Sequence, residues 1–336
     1  VFMPAAARKG PLPAFDWAGL ILVISFISCT LTGLSSGLRE GWGAPIIALL
    51  FSIAIISFVA FILWELQTQN PILQLRVFFN RKFAAAVVVG MVLSVGLFGS
   101  AYIIPLFVQA VQGYSPTRSG LLLMPSGILM MAMFPIAGRL SDRLPGYQMI
   151  VLGLAVFGAS CVLMMQAHTD TPFWVFVVWI TIGRIGLATM MPPLTVTAVS
   201  TLKPDLLSQG SGALNFSRQF GGAVGVNVLA LILGERTAFF YDAFTGLQTP
   251  DNSATLHLMS QFSHILGQLG WPLEMMPAGA LYLVGRSIHT QASMMAFSDA
   301  FLFMAALYFM TVIPALFLMD LPIKTKFRTK LRLRHG

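Results

Sequence analysis

At 336 residues, 57% hydrophobic and 10% charged, with a mean hydropathy of +0.81, the chain has far fewer charges than the roughly 25% of a soluble globular domain. So much apolar surface cannot be hidden in one water-surrounded core, and lipid must solvate most of it. The net charge of +8 argues for anionic headgroups and against nucleic acid, because the basic residues lie in short inter-span loops and in the tail Lys324, Lys326, Arg328, Lys330, Arg332 and Arg334.

Only helices and closed barrels satisfy their backbone in hydrocarbon, and these apolar runs are too long and too little alternated for strands. The opening Pro/Ala/Arg/Lys stretch reads as an inter-helix loop, so the chain is expected to be the later part of a longer protein. About eight helical spans follow. They run Phe15–Leu38, Ala44–Leu66, Phe83–Val111, Ser119–Ala137, Gln148–Ala167, Pro172–Thr197, Gln209–Leu233 and Gln291–Met319. Trp17, Trp42, Trp64 and Trp174 fall near span ends, as an aromatic belt requires. Loop charge sets an orientation. Arg8, Lys9, Arg76, Arg81, Lys82, Arg139, Arg143, Lys203 and the tail share one side, against Arg39, Arg118, Arg236 and Arg286 on the other. Both ends are therefore expected in the cytoplasm.

From Gly234 to Thr290 the chain is expected to leave the membrane on the outer face. Leu258, Met259, Phe262, Ile265, Leu266 and Leu269 recur there at helical spacing, which predicts an amphipathic helix, and from Pro277 the pattern runs toward the last span. The polar positions of that helix are neutral (His257, Ser260, Gln261, Ser263, His264, Gln268), which favours contact with protein over anionic lipid. A docking surface for a periplasmic adaptor protein is expected within 234–290. The alternative is a lid that packs on the last span through Leu281 and Leu283.

Several polar residues fall inside spans. Arg184 and Arg218 lie near mid-span, where a charge costs ~2.5–3.5 kcal/mol on insertion scales, so each needs a partner or a wet cavity. Asn215 and Gln219 flank Arg218 at helical spacing. Together with Asp299, the acid well inside a span, these residues are candidates for the substrate path or a gate, and the alternative is a hydrogen-bond network that holds helices together. Gly221 and Gly225 form a small-xxx-small pair suited to close helix packing. Gly183, Gly186 and Pro192-Pro193 predict a bent sixth span. Gly138-Arg139-Leu140-Ser141-Asp142-Arg143 makes a short cytoplasmic loop in which Gly138, Arg139, Asp142 and Arg143 are candidates for a conformational latch; a plain positive-inside loop is the alternative. The 19 Met and 27 Phe offer soft, adaptable apolar surface. Cys29 and Cys161 lie in apolar runs, so neither a disulfide framework nor a metal site is expected. No GxSxG, HExxH, CxxC or P-loop pattern occurs, which argues against an enzyme, and no cofactor is expected.

The 138–143 loop resembles the Gly-x-Leu-x-Asp-Arg loops of the major facilitator superfamily. The chain further resembles the fourteen-span drug:proton antiporters of the EmrB/QacA type. Asp16-Trp17-Ala18-Gly19 and Gly41-Trp42 are similar to the family's first extra span. Pro105 through Gln109, Gly113 through Pro116 and Gly120 through Pro125 resemble its ninth span and the turn into the tenth. Gly210 through Asn215, Arg218-Gln219 and Gly221 through Gly225 resemble its thirteenth, and Gln291-Ala292 with Phe297 through Phe301 the entry to its last. The resemblance implies an all-α integral membrane protein with a major facilitator-type helical bundle, exporting hydrophobic or amphipathic drugs by proton-coupled alternating access from the inner (plasma) membrane. Its partners are then the lipid bilayer, small hydrophobic substrates and protons. The family's proton-coupling acid and antiporter signature lie largely in a preceding half, and no residue here takes those roles. Residues 1–82 are expected to hold a loop and two linking spans, 83–320 a six-helix transporter bundle, and 321–336 a basic cytoplasmic tail. A same-fold transporter of one metabolite and a non-transporting assembly subunit are the other readings.

Overall fold

Asp16 starts the first helix: its carboxylate accepts from the Gly19 amide at 2.9 Å and so satisfies a backbone donor that has no partner within the helix. In the computed structural model, which describes residues 16–68, 71–141, 143–249 and 251–319, α1 (Trp17–Glu40) and α2 (Pro45–Gln67) form an antiparallel hairpin. Gly41 turns the chain at φ 86°, a conformation that favours glycine, and Pro45 opens α2 where its missing N–H costs nothing. Gly33 lets the Phe51 ring approach, and the rings of Phe26 and Phe58 stand 4.8 Å apart. A 3-10 turn, Leu75–Phe79, follows within this unit, which ends at Phe79.

The second unit begins at Asn80. Asn80 caps α3 (Arg81–Ala110) by accepting from the amides of Lys82 and Phe83, while its own amide donates to the Thr201 carbonyl at 2.9 Å. The helices α4 (Pro116–Ser141), α5 (Gly146–Met164), α6 (Phe173–Ser200), α7 (Leu207–Gly246), α8 (Ser253–Gln268), α9 (Met276–Met310) and α10 (Val312–Leu316) complete the unit. Helix α3 packs on α7, α6 and α9, while α5 and α4 pack on α6, α7 and α5 on α9, and α8 on α9. The core runs along α3, where Phe83, Leu93, Ile103 and Phe107 are fully buried. Phe107 joins α6 and α9, with ring centroids 5.6 Å from Phe176 and 5.2 Å from Phe297. No strand occurs among the described residues.

Among the described residues, eight helices are long and apolar enough to cross a membrane. The fold is thus all-α and membrane-spanning, as the apolar runs predict. Two boundaries differ from expectation. The seventh span continues as helix to Gly246 and the last begins at Met276, so most of 234–290 is helical and not a loop. The 40 residues of α7 reach about 60 Å, against about 30 Å of hydrocarbon. Hydropathy marks only the apolar part of a helix, and polar residues such as Glu235, Arg236 and Asp242 continue α7 beyond it. The predicted amphipathic helix is α8, ended by Gly270 at φ 79° with Trp271 N–H donating back to the Leu266 carbonyl. It rests on α9 through Leu266, which is 5% exposed and faces Gly279. Leu281, expected in that contact, is exposed. The sixth span runs as continuous helix through Pro192 and Pro193.

Candidate functional site

The α3–α7 contact is built on glycine. A Cβ at Gly221 would stand 2.7 Å from Met91 Cβ, one at Gly225 would stand 2.5 Å from Val95 Cγ2, and one at Gly222 would collide with the Phe98 ring. All three glycines are buried, and only hydrogen in the side-chain position lets the backbones come this close. One turn earlier, Arg218 lays its alkyl stem across α3, with Cγ 3.1 Å from where a Gly90 Cβ would be. Its Nε is buried without a hydrogen-bond partner. Asn215 and Gln219, the neighbours expected to share its face, are exposed. These three residues therefore lie where the packed α3 face of α7 gives way to an uncovered one, about 12–18 Å of helix rise from the start of α7.

Arg184 sits deeper, at 9% exposure. It borders a cavity of about 10 Å³, room for one water, with Ser100, Ser160, Cys161 and Gly183. The Ser160 hydroxyl donates to the Trp179 carbonyl at 2.7 Å. Tyr308 closes the same region: its fully buried hydroxyl donates to the Leu93 carbonyl at 3.2 Å, and its ring centroid lies 4.2 Å from that of Phe157. Gly96 makes room for that hydroxyl. Helices α3, α5, α6 and α9 thus meet around Arg184 and Tyr308. Tyr308 is absent from the sequence-based candidates, since a tyrosine in an apolar run reads equally well as part of an interfacial belt.

Asp299 is paired. Arg236 Nε donates to Asp299 Oδ2 at 2.6 Å, linking α7 to α9 across 63 residues, and both side chains keep partial exposure. The Arg236 guanidinium also lies over the rings of Phe239 and Phe240, 5.5 and 5.4 Å from their centroids. Arg236 was expected in an outer loop; its helical placement brings it to Asp299. Two cavities flank this region. One, of about 200 Å³, is lined by Asp299, Ser298 and His168; the other, of about 530 Å³, by Leu106, Leu233, Tyr241, Asp242 and His289.

Gly138 and Arg139 end α4, and Arg143 lies in the turn beyond it; both arginines are exposed, and a Cβ at Gly138 would meet open space. Asp142 and the basic tail 321–336 lie outside the described residues.

The chain is 28% identical over 321 residues to the uncharacterized MFS-type transporter YhcA of Bacillus subtilis, an alignment covering 94% of this chain and 59% of that one. It is 31% identical over 240 residues to the multidrug resistance protein B homolog of Mycobacterium tuberculosis, covering 68% of this chain and 42% of that protein. Against the colistin resistance protein EmrB of Acinetobacter baumannii it is 26% identical over 316 residues, covering 93% and 60%. The chain therefore spans between about two fifths and three fifths of the length of these relatives. The profile of the Major Facilitator Superfamily matches residues 17–226, more than half of the chain. With eight helices among its described residues long and apolar enough to cross a membrane, and with that profile over most of its length, the chain belongs to the Major Facilitator Superfamily.

Proposed function

We propose that the chain forms the last eight spans of a fourteen-span, proton-coupled exporter of hydrophobic or amphipathic drugs, of the EmrB/QacA type. The observation that carries this reading is the polar strip on α7. Asn215 and Gln219 are exposed and Arg218 is half-buried within a membrane-spanning helix, and such groups require either another bundle or a wet cavity beside them. A second helical bundle, with the substrate path between the two, supplies both. Relatives named for multidrug and colistin resistance, each longer than this chain, support it. Arg184, Asn215, Arg218, Gln219 and Asp299 line the path or its gates in this reading, and Gly221 and Gly225 hold α7 against α3 as the bundle moves. Residues 1–82 link two bundles, residues 83–320 form the second, and the basic tail 321–336 lies in the cytoplasm. Gly138, Arg139, Asp142 and Arg143 act as a cytoplasmic latch.

In the full-length protein, Arg218→Ala is expected to lower drug efflux at least tenfold at near-normal membrane expression, with Arg218→Lys recovering part of it. Loss of the folded protein in the alanine variant, with the lysine variant restoring only assembly, favours a structural role.

The α7–α8–α9 projection serves, in the same reading, as the docking element for a periplasmic adaptor. Leu256, Leu258, Leu269, Trp271 and Leu273 are exposed on or beside α8, and no Lys or Arg occurs on that helix to favour anionic lipid.

A further inference from the structure

We propose that Asp16 and Glu65 form a proton-binding site in the N-terminal hairpin, with one proton shared between two carboxyl groups. The two residues lie 49 positions apart but at the same end of the hairpin, one capping α1 and the other in the last turn of α2. Both are buried, Asp16 at 9% and Glu65 at 4% exposure. They crowd a single glycine: a Cβ at Gly19 would stand 2.5 Å from Asp16 Oδ2 and 3.2 Å from Glu65 Oε1.

The donors around them are too few. Asp16 Oδ1 accepts from the Gly19 amide and from Trp64 Nε1, each at 2.9 Å, and Glu65 Oε1 accepts from the Leu73 amide at 3.4 Å. Asp16 Oδ2 and Glu65 Oε2 are buried with no hydrogen-bond partner, and so is Gln74 Oε1. Glu65 and Gln74 line a common cavity of about 380 Å³. Three acceptors without a donor, two of them on carboxyl groups, is an arrangement that a bound proton corrects. Two carboxylates crowded over one glycine in a poorly solvated site repel each other when both are charged, and one bound proton relieves that repulsion. Asp16 Oδ1 already accepts two short hydrogen bonds, whereas Glu65 accepts one long one and is the more deeply buried, so the proton is placed on Glu65.

The other charged groups of the unit are accounted for among the described residues. Arg76, from the 3-10 turn, lines the cavity beside Glu65. Arg39 and Glu40 lie at the opposite end of the hairpin, paired with each other at 3.4 Å. On α2, Glu65 is the one ionisable group.

Infrared spectroscopy of the purified chain in lipid bilayers, read at the carbonyl stretch of a protonated carboxylic acid, tests the proposal. At neutral pH the wild-type chain is expected to show that band. Glu65→Gln should remove it, and Asp16→Asn should shift its frequency, because the protonated carboxyl then faces an amide in place of a carboxylate. If either variant fails to fold, labelling the wild-type chain with carboxyl-13C glutamate gives the same answer, since the band shifts only if a glutamate holds the proton. A neutral-pH spectrum without the band overturns the proposal, as does a band insensitive to glutamate labelling. A band abolished by adding sodium or magnesium chloride at constant pH also overturns it, by showing that the pair prefers a metal cation.

Discussion

Arg236 and Asp299 show how a helix boundary decides a residue's role. The 2.6 Å contact places opposite charges on α7 and α9, yet both side chains keep exposures of 46% and 26%. An exposed pair contributes about 0–1 kcal/mol, so Arg236→Ala or Asp299→Ala is expected to cost no more than about 1 kcal/mol of stability. The double variant should cost less than the sum of the singles, and thermal unfolding of the four proteins in detergent measures that coupling. Additive losses would show that the pair contributes nothing. Asp142 is a different case: within the proposed latch its charge acts on an equilibrium between conformations, for which a fraction of a kcal/mol suffices. Asp142→Asn in the full-length protein is expected to slow transport severalfold with melting temperature unchanged, and unaltered turnover would remove the latch. Both residues stand out in the sequence as rare acids. The partner of Asp299 was hidden because Arg236 lies past the end of the apolar run, where a span and a loop cannot be told apart by composition.

At the scale of elements, the glycines of α7 separate into two kinds that the sequence shows as one. Gly221 and Gly225 are sealed against Met91 and Val95, whereas Gly212 has open space where a Cβ would go. Gly212→Ala is therefore expected to be neutral or to stabilise by roughly 0.5–1 kcal/mol through helix propensity. Gly221→Ala is expected to destabilise by about 1–3 kcal/mol, because Met91 Cα is part of the α3 backbone and cannot yield as a side-chain tip would. Melting temperatures of the two variants, measured in one detergent, compare them; equal shifts would contradict the α3–α7 packing. The small-xxx-small spacing announced close packing without saying which helix would receive it. Helix α8 was likewise legible as an apolar stripe, while its seat on Gly279 of α9 depended on a turn at Gly270 that no periodicity reports.

For the whole molecule, the projection made by α7, α8 and α9 yields the test of the adaptor proposal. Replacing residues 256–270 by a short Gly/Ser linker in the full-length protein removes the exposed Leu256, Leu258 and Leu269 and also the Leu266 seat on α9. Substrate binding to the purified protein is expected to persist, since the polar strip at Arg218 lies near the other end of α7. Export from intact cells should fall at least tenfold if it passes through a bound partner. Undiminished export after the replacement would eliminate the docking role.

The sequence alone determined the class of solvent, and with it the fold class: 57% hydrophobic residues in long unalternated runs leave helices that cross a lipid bilayer as the arrangement that satisfies their backbone. It also marked the polar and small residues inside those runs, because in hydrocarbon each of them needs an explanation. Pairing was decided by tertiary structure. Asp16 and Glu65 read separately as two acids at span ends, and only the antiparallel return of α2 along α1 presses them over Gly19. Arg184 reads as a lone mid-span charge until α9 brings Tyr308 to the same junction. Periodicity reports which face of a helix is apolar, a property of consecutive residues, whereas a contact between helices depends on the register and direction of two segments that the sequence leaves independent.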